Sequence, residues 1–298
     1  MVEGKVILVV GGTSGIGEAT AILAAKEGAK VAVAGRREDK GREVVAKIYD
    51  ELIKDGIVPT ADGEGEEKRA IFIRCDATKE EDVRNLVASC VAAFGRIDGA
   101  FNNAGVMRHT RPLLEIGLHE FQDMMQANAF STLCCMNEEI RQMRKQEEAA
   151  SVATKSASPV ARSGRYSIVN CSSINAERPF ATTGLYGSTK VAIDFLTKTA
   201  AIEQADVPIR INSVQPGPVV TDIFADLSSI DPTGTITSRV AIAEFGKRNT
   251  LFGRAGEPHE VAGPVVFLLS DAASFITGVN LLVDGGVAVR TIGAGSNP

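Results

Sequence analysis

The 298-residue chain has no tryptophan, only three histidines, and five cysteines (75, 90, 134, 135 and 171) that form no C-x-x-C pair. Such spacing supplies neither a zinc-type ligand set nor a disulfide framework, so no metal site is expected. The N-terminus lacks the basic start and long apolar core of a signal peptide. With an odd cysteine count, this predicts a reducing, cytoplasmic setting. No apolar run approaches the roughly 18 residues that a bilayer span needs. Basic residues are not in excess either: 32 Lys and Arg face 37 Asp and Glu, a net charge of -5. That balance leaves no electrostatic footprint for nucleic acid or anionic lipid. The expected partner is a small molecule, with no nucleic acid and no membrane.

What the chain does have is alternation. Apolar strand patterns at 5–10, 30–34, 70–74, 97–101, 166–171, 209–214 and 279–283 alternate with helical patterns at 16–27, 37–54, 79–94, 112–144, 184–204 and 257–270. Strand and helix repeated this often predict an α/β fold in one domain over 1–298: a doubly wound, parallel, seven-stranded sheet with helices on both faces. Two stretches break the rhythm and read as surface insertions. One is acidic and glycine-rich (56–68), the other rich in Ala and Ser (146–165). A third, 222–254, follows a Pro-Gly turn without a clear strand and reads as a substrate lid.

The first strand runs into Gly11-Gly12-Thr13-Ser14-Gly15-Ile16-Gly17, which opens directly into a helix. Glycines allow a tight turn and close backbone approach, while the helix N-terminus offers free N–H groups and a positive dipole to phosphate. The context predicts dinucleotide binding. The second strand ends in Gly35-Arg36-Arg37. An acidic group at this place holds both ribose hydroxyls of NAD, whereas the 2′-phosphate of NADP needs arginine. NADP(H) is therefore favoured and NAD(H) remains open; the plainer reading has both arginines solvating a strand end. Tyr186 and Lys190 are four apart on a predicted helix and share one face, so the ammonium can approach the phenol. The cation, and an oxidised nicotinamide, are expected to lower the phenol's pKa.

The G-x-x-x-G-x-G spacing and these motifs resemble the short-chain dehydrogenase/reductase family, which implies a Rossmann fold. The likeness covers about residues 4–288. One departure is Val10, where the family usually has Thr before the loop. The resemblance implies that Asp76 contacts the adenine edge with Ala77 beside it, although Asp76 alone reads equally well as a helix cap. It implies that Asn103-Ala104-Gly105, in an N-N-A-G turn, pass under the adenosine ribose. It further implies that Pro216, Gly217, Val219 and Thr221 orient the nicotinamide. Asn128, Ser173, Tyr186 and Lys190 match the family's catalytic set. Ser173 would hold the substrate oxygen, Tyr186 act as general acid/base, Lys190 grip the cofactor ribose, and Asn128 support a water chain. Asn128 read by itself is a mid-helix polar residue facing neighbouring backbone.

The activity implied is hydride transfer between nicotinamide and a ketone or secondary alcohol. Alternatives are an NAD-dependent alcohol dehydrogenase of the same fold, a non-redox isomerase or cyclase, and a cofactor-sensing protein. Pocket walls are expected from Met107-Arg108-His109, Asn175-Ala176-Glu177, Phe180, Leu185 and 222–250. The family also implies a homodimer or homotetramer built through the helices near 112–144 and 184–204.

Overall fold

The computed structural model describes residues 1–57, 68–153, 165–223 and 237–290. Its strands are β1 (Val6–Val10), β2 (Lys30–Gly35), β3 (Ala70–Arg74), β4 (Gly99–Asn102), β5 (Tyr166–Cys171), β6 (Ile209–Pro216) and β7 (Asn280–Val283). They form one sheet in the order β3-β2-β1-β4-β5-β6-β7, with every neighbouring pair parallel. The helices are α1 (Gly15–Lys26), α2 (Glu38–Lys54), α3 (Glu80–Phe94), α4 (Leu118–Met124), α5 (Ser131–Ala153), α6 (Gly184–Glu203), α7 (Ser238–Asn249) and α8 (Pro258–Leu269).

The central strand β1 is apolar and buried throughout because both faces are covered. Along β1 the two-residue period divides the side chains between two cores. Ile7 and Val9 pack with apolar residues of α1, α2 and α8. Leu8 and Val10 pack with those of α3, α5 and α6 on the other face. The doubly wound, seven-stranded Rossmann architecture is the expected one.

Three expectations need correction. The pattern at 112–144 is not one helix. Pro112 and Gly117 interrupt it, a 3₁₀ turn occupies Leu113–Glu115, α4 follows, and a π-helical turn spans Met125–Phe130 before α5 begins. The stretch 146–165 is not wholly an insertion. Its first residues complete α5, where the Gln146 amide exchanges two hydrogen bonds with the backbone of Ile97. Within 222–254, residues 238–249 form α7. Residues 58–67 and 154–164, and 224–236 of the expected lid, lie outside the described residues. No helix among the described residues is long and apolar enough to cross a membrane.

Candidate active site

From β1 the chain winds through β2 and β3 to one side, and from β4 onward to the other. The carboxyl ends of β1 and β4 therefore flank the crevice where such sheets bind ligands. A cavity of ≈ 1270 Å³ opens there. One small-molecule pocket typically measures about 300–1,000 Å³, so the space accommodates a cofactor and a substrate together. Its walls run from Gly11, Arg36 and Asp76 at one end to Phe180 and Phe245 at the other.

The glycine loop is shaped by contacts that exclude side chains. Gly11 has φ +78°, and a Cβ there would lie 2.6 Å from Ala104 N. A Cβ on Gly17 would lie 2.2 Å from Gly11 O and 2.8 Å from Asn103 Nδ2. Gly17 thus sits under the loop and, unlike Gly11, Thr13, Ser14, Gly15 and Ile16, does not line the cavity. The departure at Val10 is compensated by backbone. Gly11 N and Gly12 N both donate to Ala34 O, at 2.9 and 3.0 Å, while Asn103 N donates to Val10 O at 2.9 Å. The α1 N-cap, Ser14, makes no side-chain capping bond, which leaves the first N–H groups of α1 for an anion. This cradle fits a pyrophosphate.

Beside it, Arg37 donates to Ser14 Oγ at 3.0 Å and Thr13 Oγ1 at 3.3 Å. Glu38, a candidate to neutralise it, is bonded instead by Arg42 at 2.6 Å. A Cβ on Gly35 would meet Thr13 Cγ2 at 2.7 Å, so the glycine keeps both side chain and carboxylate out of this corner. Asp76 lines the cavity, and its carboxylate also accepts from the Thr78 hydroxyl and N–H at 2.8 and 3.2 Å. Burial pushes its pKa up. The Thr78 bonds and the charges of Arg36 and Lys79 outweigh burial and bring it below the usual value. Asn103 Nδ2 donates to Gly11 O at 3.0 Å, pinning the β4 turn to the loop.

Ser173, Tyr186 and Lys190 all line the cavity. Ser173 follows β5; Tyr186 and Lys190 share one face of α6, with Lys190 Nζ 5.5 Å from the Tyr186 ring centroid. Lys190 Nζ also donates to Cys171 O at 2.8 Å. In this structure burial pushes the Tyr186 phenol up, and the Lys190 charge and the Ser173 and Lys190 hydrogen bonds only partly reverse it. Removal from water thus outweighs the single Lys190 cation, which acts in the expected lowering direction.

Asn128 is brought near this group but not into the cavity. It is fully buried in the π-helical turn, where Oδ1 accepts from Val106 N at 2.8 Å. Its Nδ2 donates to Val106 O at 2.9 Å and Thr189 Oγ1 at 3.1 Å. Its amide thus faces the backbone of Val106 and the Thr189 hydroxyl.

Other expectations divide similarly. Met107, Arg108, Asn175 and Phe180 line the cavity, together with Ala77, Asn103, Ala104, Gly105, Pro216, Gly217, Val219 and Thr221. Leu185 instead packs beneath it with Met107, Met124 and Tyr186. His109 turns toward α4, with Nδ1 3.3 Å from Glu120. Ala176 and Glu177 are also outside the lining. Val240, Ile242 and Phe245 of α7, within the 222–250 stretch expected as a wall, also line the cavity, and the Phe245 ring meets Phe180 edge-on at 5.3 Å. Sequence reading missed the tie between Thr183 and Asn175. No group of three or more metal-ligating side chains is gathered among the described residues.

The family model described as short chain dehydrogenase matches residues 5–231. A 2,5-dichloro-2,5-cyclohexadiene-1,4-diol dehydrogenase of Sphingobium indicum is 36% identical over 284 residues, 95% of this chain and 97% of that protein. An L-fucose dehydrogenase of Oryctolagus cuniculus is 33% identical over 285 residues, 95% of this chain and 84% of that one. The crystal structure of levodione reductase superposes with a TM-score of 0.81 at 28% identity, covering 98% of this chain and 100% of that one.

Proposed function

Because the chain belongs to the short-chain dehydrogenase family, we propose that it is an NADP(H)-dependent oxidoreductase interconverting a cyclic ketone and its secondary alcohol. As a family member it is an oxidoreductase of alcohol and ketone groups that uses a nicotinamide dinucleotide. The observation carrying the finer reading is the meeting of Ser173, Tyr186 and Lys190 in the wall of the cavity that begins at the glycine loop.

In this reading the α1 N-terminus and Gly11–Ile16 hold the pyrophosphate, and Gly17 supports them from below. Arg36 and Arg37 take the 2′-phosphate, while Asp76, Ala77 and the 103–105 turn flank the adenosine. Lys190 and the segment from Pro216 through Val219 to Thr221 hold the nicotinamide half. When bound, the reduced cofactor supplies the hydride, that is, both electrons, to the carbonyl carbon. Tyr186 gives its hydroxyl proton to the carbonyl oxygen as general acid, and regains it from solvent afterwards. Ser173 donates a hydrogen bond to the same oxygen while charge develops there. Asn128 contributes by fixing Val106 against α6, and its main-chain carbonyl already accepts from Thr132 Oγ1 at 2.9 Å. The reverse reaction uses the phenolate as base.

The edge-to-face pair Phe180–Phe245 in the cavity wall supports a ring-shaped, partly apolar substrate, in line with a relative named for a cyclohexadiene-diol. Exposed apolar side chains on α4 and α6 (Leu118, Phe121, Phe195, Ile202) support assembly into a homodimer or homotetramer. The setting we propose is cytoplasmic.

Calorimetric titration with NADPH and NADH tests the cofactor, followed by a screen of cyclic ketones that includes cyclohexane-1,4-dione. Tighter NADPH binding and NADPH-dependent reduction are expected. Tighter NADH binding would overturn the assignment of Arg36 and Arg37 and turn the search to alcohol oxidation.

A further inference from the structure

Two donors of one residue converge on the hydroxyl of Ser173. Asn175 N donates to Ser173 Oγ at 3.1 Å, and Asn175 Nδ2 donates to the same oxygen at 3.4 Å. A serine hydroxyl offers two acceptor lone pairs and one donor proton. With both lone pairs taken by Asn175, the only capacity left to Ser173 is to donate. The amide is held in that orientation from behind, since Thr183 Oγ1 donates to Asn175 Oδ1 at 2.7 Å, the shorter of its two contacts, Phe180 O lying at 3.0 Å. The loop is also seated against the helix that carries Tyr186: a Cβ on Gly187 would lie 2.9 Å from Asn175 O. Asn175 and Thr183 line the cavity together with Ser173 and Tyr186.

We propose that Asn175 is a positioning residue that makes Ser173 an obligate hydrogen-bond donor toward the substrate oxygen, with Thr183 holding the Asn175 amide in the orientation this requires. The inference rests on the reading of Ser173 given above and adds the direction of its proton. A carbonyl oxygen gaining negative charge needs donors. A serine free to rotate would spend part of its time with its proton elsewhere, and such donors act strongly only when preorganised.

The test is ketone reduction by Asn175→Ala, Asn175→Asp and Thr183→Val, followed from pH 5 to 8 with NADPH and cyclohexane-1,4-dione, or another cyclic ketone that the wild type reduces. Asn175→Asp replaces an N–H donor by an acceptor, so the Ser173 proton turns to it. We expect kcat to fall about 100-fold at pH 8, the order seen when one oxyanion donor is removed. That loss should shrink as pH falls, because the introduced carboxyl, once protonated, donates to Ser173 again. Asn175→Ala keeps the backbone N–H bond and should lose less, by a factor that does not change with pH. Thr183→Val frees the amide to flip and should lower kcat, with the NADPH Kd unchanged in all three variants.

Wild-type kcat in Asn175→Asp would overturn the inference, because it would mean that the amide oxygen already faces Ser173. Equal, pH-independent losses in the two Asn175 variants would overturn it too. If Asn175→Asp fails to bind NADPH, Thr183→Val decides: wild-type kcat there sinks the inference, and a lowered kcat supports it. Failure of the underlying reading looks different, since Tyr186→Phe would then keep its activity.

Discussion

Lys190 Nζ lies 5.5 Å from the centre of the Tyr186 ring, one helical turn along α6, and both residues are buried. Burial holds the phenol above its ordinary value of 10.0 while the ammonium pulls it down. A phenol so placed is protonated at neutral pH, the form that reduction needs. Tyr186→Phe should therefore lower turnover by at least about 10²–10⁴-fold, the usual contribution of general acid–base catalysis, and spare cofactor binding. Lys190→Met removes the charge that opposes burial, so the phenol should rise further. Alcohol oxidation, which needs the phenolate, should then suffer more than ketone reduction, and its pH–rate profile should move to higher pH.

In the proposed reading, cofactor choice turns on the corner formed by Gly35, Thr13 and the two arginines. Arg36→Asp removes a charge-assisted partner, worth roughly 1.5–3 kcal/mol or about 10–100-fold in Kd. Calorimetry should show weakened NADPH binding with NADH little changed or improved. Gly35→Asp should not simply convert the site to NADH, because its Cβ would sit 2.7 Å from Thr13 Cγ2 and displace the loop. Weaker binding of both cofactors is the expected result.

Stability should carry a pH signature from Glu139 on α5, which is fully buried. Its Oε2 accepts from Asn102 Nδ2 at 2.9 Å, while Glu139 Oε1 and Asn102 Oδ1 both lack a hydrogen-bond partner among the described residues. A proton on the carboxyl gives this acceptor-rich buried cluster a donor. Burial raises its pKa from 4.5 to about 7, with the Asn102 bond opposing. The folded state then keeps the proton where the unfolded chain releases it. The contribution is present below pH 4.5 and is lost as pH rises to about 7, on the order of 3 kcal/mol in all. Glu139→Gln, followed by denaturant titration from pH 5 to 8, should lose this dependence and be relatively more stable at pH 8. Parallel pH curves for the two proteins would contradict the assignment.

The α7 wall should control KM more than kcat. Phe245→Ala removes the edge-to-face contact with Phe180, worth about 1 kcal/mol, and opens that end of the cavity. KM for a cyclic ketone should rise about fivefold by the same arithmetic, while kcat and NADPH affinity stay near wild type. A fall in kcat alone would place Phe245 outside the substrate's reach.

Much was determined by sequence alone, because the signals are local. Apolar strands bounded by glycine, helices with a repeating face, and a glycine loop between β1 and α1 each state their conformation within a few residues. Tyr186 and Lys190 are four apart, so a single turn of α6 suffices to bring them together. The tertiary structure decided what depends on residues far apart in the chain. The pattern at 112–144 looks continuous because apolar spacing does not register one extra residue, yet the π-helical turn there carries Asn128 inward to the backbone of Val106. Which arginine reaches the loop hydroxyls depends on how β2 packs against α1, and Arg37 makes those bonds. The net direction of the Tyr186 pKa depends on burial, which no five-residue motif records. The hold of Asn175 and Thr183 on Ser173 appears only when the loop after β5 closes on the start of α6.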